Sequence, residues 1–340
     1  MLETDELAAI DRHLYEPTPA LVGDLDELDG DLLLLGAGGK LGLSLSRMAR
    51  LAADRGRARR VIAVSRFGDP AVRAEFEAAG VEVLPADLSD EAALRDLPDA
   101  ANIVYLVGRK FGTSGDPWTT WALNTYLPGR VAERFPSSRI VAFSTGNVYP
   151  LAPLASGGAL EGDAPDPAGE YAQSCLGRER LLQHFSAVNG TPMSILRLNY
   201  AIDLRYGVLH DVATRVFAGE PVDVTMGCAN VIWQGDVNAI TLRSLLHCDS
   251  PPDVLNLTGP ETVSIRWLAE EFGRRFDRGP EITGTEAATA LLSNAAKCTG
   301  RFGYPTVPLE RMIDWTAAWI AAGGPSHGKP TQFQQRAGAF

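Results

Sequence analysis

Short apolar runs, one of them broken by Glu82, alternate along this chain with stretches whose apolar residues recur every three or four positions. The runs are DLLLL at 31–35, VIAV at 61–64, VEVL at 81–84, IVYLV at 103–107 and IVAF at 140–143. Four or five consecutive apolar residues suit a strand buried on both faces. Helical stretches are predicted at 43–57, near 70–79 and around 118–134. Strand alternating with helix predicts an α/β fold with a doubly wound parallel sheet. At the front, Leu7, Ile10 and Leu14 predict a helix over 3–15, ended by Pro17 and Pro19, with a connector to Gly30. Residues 150–170 hold four prolines and four glycines and read as a long loop, a kind that is usually functional. A helix is predicted from about 171 to 188, a strand over Met193–Leu198 and a last helix over Leu309–Ala322. The stretch 323–340, rich in Gly, Pro and Gln, is expected to lie on the surface or move unless it docks.

Composition narrows the function. The 340 residues carry a formal net charge of −11. Such a chain has no electrostatic help in binding nucleic acid or anionic membranes, so neither is expected as a partner. No run approaches the roughly 18 apolar residues of a membrane helix, and the acidic start MLETDELAAIDRHLYE is not a secretory signal. A cytoplasmic location is expected. The four cysteines (175, 228, 248, 298) and five histidines (13, 184, 210, 247, 327) are scattered without ligand spacing. No metal site and no disulfide framework are expected.

The first candidate chemistry lies directly after the first run. LLLLGAGGKLG places Gly36, Gly39 and Gly42 at three-residue spacing between a buried strand and a helix. One glycine makes the tight turn, one lets backbone approach a pyrophosphate, and one lets helix and strand pack closely. The N–H groups at the start of that helix favour phosphate. A dinucleotide is therefore the expected ligand. A Walker loop is excluded, because Leu34 stands at its first glycine and Lys40 is not followed by Ser or Thr. Ser65 and Arg66 close the second run, where an acidic residue would bind the ribose 2′-OH of NAD. Arginine suits a 2′-phosphate, so NADP is favoured over NAD.

These segments, with others in order, give a chain that resembles the extended short-chain dehydrogenase/reductases, the NAD(P)-dependent epimerase/dehydratase group, over residues 31–322. GAGGKLG resembles the family's G-x-x-G-x-x-G, Asp87-Leu88 its adenine-contact pair, and YLVGRKF its fourth-strand motif. Asn124 in WALNTYLPG matches the asparagine of the next helix. FSTGNVYP puts Thr145 at the catalytic Ser/Thr position, and YAQSCLGRER puts Tyr171 at the tyrosine of Y-x-x-x-K. VIWQGDVNA and GYPTVPLERMIDWTAAW resemble the C-terminal signatures. The resemblance implies a Rossmann-type sheet with a smaller C-terminal substrate lobe. The expected organisation is an N-terminal helix and connector (1–30) and a dinucleotide-binding domain (31–200, continued in about 229–258). A substrate lobe (201–228 and 259–325) and a tail (326–340) complete it.

The cofactor contacts so implied are Gly36, Gly38, Gly39, Lys40, Leu41, Gly42, Ser65, Arg66, Asp87, Leu88, Val107, Gly108, Lys110, Asn124, Tyr171, Cys175, Asn199 and Tyr200. Thr145 and Tyr171 are the implied catalytic pair, serving hydride transfer at a carbinol carbon of a sugar-like or hydroxy-acid small molecule. Two departures stand out. Cys175 occupies the family's lysine, and in LRLNYAID Tyr200 falls on the usual asparagine with Asn199 one residue early. A cation ~5 Å from the phenol at an effective dielectric of ~20 is worth roughly 3 kcal/mol, about 2 pK units. Lys110 and Arg178 are candidate substitutes for it. Arg109, Arg197 and Arg205 are candidate anchors for a substrate carboxylate or phosphate. The alternatives are a dinucleotide-binding protein of low turnover, such as a redox sensor or scaffold, and a lyase or dehydratase that retains its cofactor. A homodimer is the assembly considered.

Overall fold

A computed structural model of the protein describes residues 9–339. Seven strands form one parallel sheet: β1 (Leu32–Leu35), β2 (Val61–Ser65), β3 (Glu82–Pro85), β4 (Asn102–Tyr105), β5 (Arg139–Thr145), β6 (Met193–Leu198) and β7 (Asp253–Leu257). Their order is β7-β6-β5-β4-β1-β2-β3. The order reverses direction between β1 and β4, and in such sheets ligands bind at the strands' carboxyl ends beside that reversal.

The apolar runs become strands because both faces of the sheet are covered. In β1, Leu32 and Leu34 pack into one layer, Leu33 and Leu35 into the other. This is the two-residue period of a strand. The same alternation divides Val61 and Ala63 from Ile62 and Val64, and Val104 from Ile103 and Tyr105. Each buried leucine contributes roughly 1.5–3 kcal/mol.

The helices are α1 (Pro19–Asp26), α2 (Gly42–Arg55), α3 (Pro70–Ala78), α4 (Glu91–Arg95), α5 (Pro117–Trp121), α6 (Leu127–Arg134) and α7 (Gly169–Asn189). In the second half come α8 (Val208–Ala218), α9 (Gln234–Arg243), α10 (Ile265–Phe276), α11 (Ala296–Phe302) and α12 (Leu309–Ala321). A second apolar core gathers α8, α10 and α12 around Trp233, Phe272 and Trp319. None of the helices among the described residues is long and apolar enough to cross a membrane.

Three elements differ from expectation. The connector before Gly30 contains α1. Thr18 caps it by accepting from the Leu21 N–H at 3.2 Å, and Pro19 takes the first helical position, where proline costs nothing. Of the predicted helix over 3–15, residues 3–8 lie outside the described part; residues 9–12 are helical. The helix expected around 118–134 is interrupted by a π turn over Ala122–Tyr126. Pro128 has no N–H for the Asn124 carbonyl. The Leu127 N–H reaches back five residues to Ala122, and Arg178 Nε donates to the Asn124 carbonyl at 3.0 Å instead.

The segment 323–339 docks on its own chain. Phe333 enters the second core, and the Thr331 N–H and hydroxyl donate to Asp211 at 2.7 and 2.5 Å. Arg336 donates to the Thr289 carbonyl, while Gly338 lies against Ala168 and Gly169 at the start of α7.

α7 is locked to the sheet by a buried ion pair. Arg197 on β6 meets Glu179 on α7 through two parallel bonds of 3.0 and 2.6 Å, with both side chains at most 4% exposed. Ser144 also donates to Glu179, and Arg197 donates to the Tyr149 hydroxyl. Removing one partner strands a buried charge. Glu179→Ala is expected to lower unfolding free energy by about 3–5 kcal/mol in denaturant titrations, whereas replacing both residues by leucine and methionine costs far less. Equal losses in the two variants would refute a charge-stranding cause.

Candidate functional site

The glycine turn follows from steric necessity at two positions and from open space at a third. Gly36 has φ +85°, and a Cβ there would lie 2.6 Å from Val107 Cγ2. A Cβ on Gly42 would lie 1.8 Å from the Ala37 carbonyl oxygen. At Gly39 the same atom would meet only the Gly36 carbonyl, at 3.5 Å. The fold therefore requires glycine at 36 and 42, while the side of Gly39 is open. α2 starts at this turn with no side-chain cap. The Gly42 N–H donates to the Gly39 carbonyl at 3.1 Å, and a helix start of this kind favours an anion at the N–H groups that follow.

Two connected cavities, of about 310 and 300 Å³, run over the turn and share Gly36, Gly39, Leu106, Val107 and Gly108. The smaller is bounded by Gly38, Ser65, Arg66, Asp87 and Leu88. Arg66 is exposed and has no partner among the described residues, and Asp87 accepts from the Ser89 N–H at 2.9 Å. The larger is bounded by Lys40, Leu41, Gly42, Lys110, Thr145, Tyr171, Asn199 and Tyr200. Residues from the first strand's turn and from the end of β6 thus meet in one groove at the strand ends.

Thr145 ends β5 and Tyr171 lies in the first turn of α7. Thr145 Oγ1 accepts from the N–H of Asn147 at 3.2 Å and from its Nδ2 at 3.0 Å. A hydroxyl has two lone pairs and one proton, so Thr145 is left as a donor. It shares a hydrogen bond with the Tyr171 hydroxyl, which also bonds Cys175. Burial pushes the Tyr171 phenol far above its ordinary value, and the Thr145 bond and the Arg178 charge only partly oppose it. Burial raises the Cys175 thiol as well. Arg178, one turn beyond Cys175, is 4% exposed and donates to the Phe143 carbonyl at 2.5 Å and to Asn124 Oδ1 at 3.2 Å. It lines the cavity behind Gly108. Among the described residues no carboxylate pairs with it.

Two lysines also line the larger cavity. Lys40 Nζ donates to the Ala201 carbonyl at 3.1 Å and sits 4.0 Å above the Tyr206 ring. Lys110 Nζ donates to the Thr331 carbonyl at 3.0 Å. Burial lowers each to about 8.

Two expected cofactor contacts do not reach the groove. Cys175 is buried with Val148, Tyr149 and Ala159, because its short side chain stays inside the layer a lysine would cross. Asn124 is fully buried, its amide spent on the backbone of Arg109, on Ser174 and on Arg178. It holds the segment after β4 in place instead. The candidate substrate anchors are also committed elsewhere: Arg109 to Asp116, Arg197 to Glu179, and Arg205 to Asp11 and Asp203. The irregular LRLNYAID register has a backbone cause. Tyr200 takes φ +42°, a left-handed conformation uncommon for a bulky residue, and lines the cavity while Asn199 donates to the Leu291 carbonyl. Tyr206 and Thr331 also line the cavity and were not foreseen. No local pattern announces them, since each arrives from a different part of the second half.

No family model matches the chain, and no curated protein matches it in sequence. Solved structures do match. Pal from Bacillus thuringiensis is 18% identical with a TM-score of 0.71, covering 86% of this chain and 99% of that one. UDP-glucuronic acid 4-epimerase from Bacillus cereus, solved with UDP-glucuronic acid and NAD, is 18% identical at a TM-score of 0.70 with the same coverages. UDP-glucose 4-epimerase from Thermus thermophilus, in complex with NAD, is 19% identical at 0.69, again covering 86% and 99%. The protein has the Rossmann-type α/β fold of these structures. Identities this low carry the fold and nothing finer.

The glycine geometry separates folding from binding. Gly42→Ala forces backbone movement and is expected to cost about 1–3 kcal/mol or more of stability. Gly39→Val is expected to melt close to the parent yet lose dinucleotide binding in calorimetry. Undiminished binding by Gly39→Val would remove the turn from the ligand site.

Proposed function

We propose that the chain binds a nicotinamide dinucleotide along the groove and transfers hydride at a carbinol carbon of a sugar-like or hydroxy-acid small molecule, as an oxidoreductase or epimerase. One observation carries the reading: a continuous groove crosses the glycine turn and ends on the hydrogen-bonded Thr145 and Tyr171. The open side of Gly39 and the uncapped start of α2 fit a pyrophosphate. The similar structures from B. cereus and T. thermophilus hold NAD, and the former also a sugar nucleotide. When bound, a nicotinamide ring would supply the hydride acceptor or donor.

The chain's own residues handle the proton. In oxidation the substrate hydroxyl proton goes to the Tyr171 phenolate; in reduction the Tyr171 phenol returns it to the carbonyl oxygen, while Thr145 donates to the Tyr171 oxygen and holds it in place. The raised phenol pKa keeps Tyr171 neutral near pH 7 and so favours the acid role. Arg178 takes the lysine's electrostatic part at longer reach, held by carbonyls rather than by a carboxylate that would cancel it. The Thr145–Tyr171 pair favours turnover over a purely sensing or scaffolding protein. A cytoplasmic setting, with the four cysteines free, and a homodimer belong to the same proposal.

The sign of the pH dependence follows. Oxidation needs the phenolate, whose pKa burial raises above the ordinary ~10, so its rate is expected to climb with pH and reach no plateau below that value. Reduction uses the neutral phenol and is expected to show no acidic limb from this group. A pH–rate profile checks both. Tyr171→Phe should remove the alkaline rise, and a fully active Tyr171→Phe enzyme rules out the assignment.

We further propose that NADP(H) binds ahead of NAD(H), through Arg66 at the end of β2. Arg66→Ala is expected to weaken NADP(H) by about 1–3 kcal/mol and leave NAD(H) nearly unchanged. Tighter binding of NAD(H) by the parent protein would reverse this preference.

A further inference from the structure

Residues 323–339 form neither helix nor strand and are held by separate point contacts. The segment leaves α12 through Gly323, at φ +69°, and Gly324, where a Cβ would lie 2.4 Å from the Trp319 ring. The same indole donates to the Pro325 carbonyl at 3.0 Å. Ser326 Oγ lies 3.0 Å from His210 Nε2, and the His327 N–H donates to the Arg205 carbonyl at 3.1 Å. Thr331 gives its N–H and hydroxyl to Asp211 on α8, and its carbonyl accepts from Lys110 Nζ in the segment after β4. Arg336 then donates to the carbonyl and hydroxyl of Thr289 at 2.7 and 2.6 Å. At the far end the chain meets α7 backbone to backbone: a Cβ on Gly169 would come against the Gly338 carbonyl, two residues before Tyr171. One irregular segment thus touches α8, the turn after β4 and the start of the helix that carries the phenol.

The docked form is held against a local cost. Gln332, next to Thr331, takes φ +55°, the left-handed conformation that L-residues avoid. Its side-chain oxygen is buried with no donor among the described residues. A backbone outlier beside an unsatisfied buried acceptor persists only where surrounding contacts over-determine it. Here those contacts are Asp211 and Lys110 on Thr331, and Phe333 in the second core. Between them and α12, Gly328 has φ +63° and open space where a Cβ would stand. A segment without ladder hydrogen bonds, with a cost at its centre and glycines at 323, 324 and 328, opens locally at lower free energy than the helices it lies on. Thr331 lines the larger cavity together with Lys110, Thr145 and Tyr171, so such an opening removes part of the cavity wall.

We propose that residues 325–338 are a strap that forms one wall of the larger cavity, latched through Thr331, and that a dinucleotide in the groove tightens the latch through Lys110. This rests on the dinucleotide reading above. Lys110 shares its cavity with Gly36, Gly39 and Gly42 of the turn, and an ammonium has three donors, so it serves a dinucleotide and the Thr331 carbonyl together. Burial lowers Lys110 to about 8, and a dinucleotide's negative charge nearby favours the charged ammonium. The charged form is also the stronger donor to the carbonyl. The strap is thus looser in the free protein and firm in the loaded one, which orders the dinucleotide before the substrate.

Hydrogen exchange of the full chain, read by mass spectrometry with and without saturating NADPH, tests the strap; calorimetry sets the saturating concentration for each variant. In the free protein the amides of residues 327–335 are expected to exchange at least about tenfold faster than those of α12. NADPH should slow the strap amides by about tenfold. Lys110→Met, at its own saturation, should keep the fast exchange. Thr331→Val, which keeps the shape and loses the hydroxyl given to Asp211, should speed strap exchange in the free protein by about tenfold, as for loss of a hydrogen bond to a charged group. Strap amides no faster than those of α12 make the segment a fixed part of the second core and overturn the proposal. Strap exchange that NADPH leaves unchanged in the parent, or slows equally in Lys110→Met, overturns the link to the dinucleotide. If neither NADPH nor NADH binds, the dinucleotide reading fails instead. The comparison of Thr331→Val with the parent then decides the latch by itself, with unaltered exchange refuting it.

Discussion

A guanidinium buried among carbonyl oxygens holds this site together. Arg178 takes the Phe143 carbonyl at the end of β5 and both the carbonyl and the side-chain oxygen of Asn124 in the π turn. Burying a charge without a counter-charge is costly unless its donors are satisfied. Here the compensation comes from backbone dipoles, one of which is free only because Pro128 cannot donate to it. The same guanidinium stands 3.2 Å from where a Gly108 side chain would begin. One residue thus ties the strand that carries Thr145, the helix that carries Tyr171, and the segment that walls the groove.

Charge is partitioned rather than balanced locally. The strong carboxylate pair of α7 is given to Arg197, which anchors the helix to β6 and faces away from the groove. Arg178, the immediate neighbour of Glu179 in sequence, keeps an uncancelled charge beside the phenol. Of the carboxylates near the cavity, Asp203 is bonded to Arg205 and Asp211 to Thr331. Successive residues of α7 thus do opposite electrostatic work, Arg178 against the Phe143 carbonyl and Glu179 against Arg197.

The sheet was legible because its central strands are doubly buried and therefore apolar without interruption, as in LLLL and IVAF, whereas the edge strand β3 is partly exposed and carries Glu82. The glycine turn was legible because sterics leave no other residue at 36 and 42. Local signals misled where one residue type has two uses. Pro19 reads as a stop for one helix and is the start of the next, and Pro128 reads as tolerated within a helix and in fact redirects it. The arginines near the site were misread because sequence shows a charge but not the partner that takes it, as with Arg197 and Glu179. Tyr206 and Thr331 escaped notice because long-range packing alone brings them to the cavity.

The docking of Thr331 sets an order of events during synthesis. Chains emerge from their N-terminal end, and domains form as units in that direction. The sheet's first six strands, the glycine turn and Tyr171 are all made before residue 200, and α8 with Asp211 soon after. The wall between Lys110 and Asp211 is made last, 120 residues after Asp211 itself. Until that segment has emerged and found its place, the cavity that Thr145 and Tyr171 line lacks the wall that Thr331 supplies. Closing of the pocket is thereby coupled to translation having passed every other part of the site.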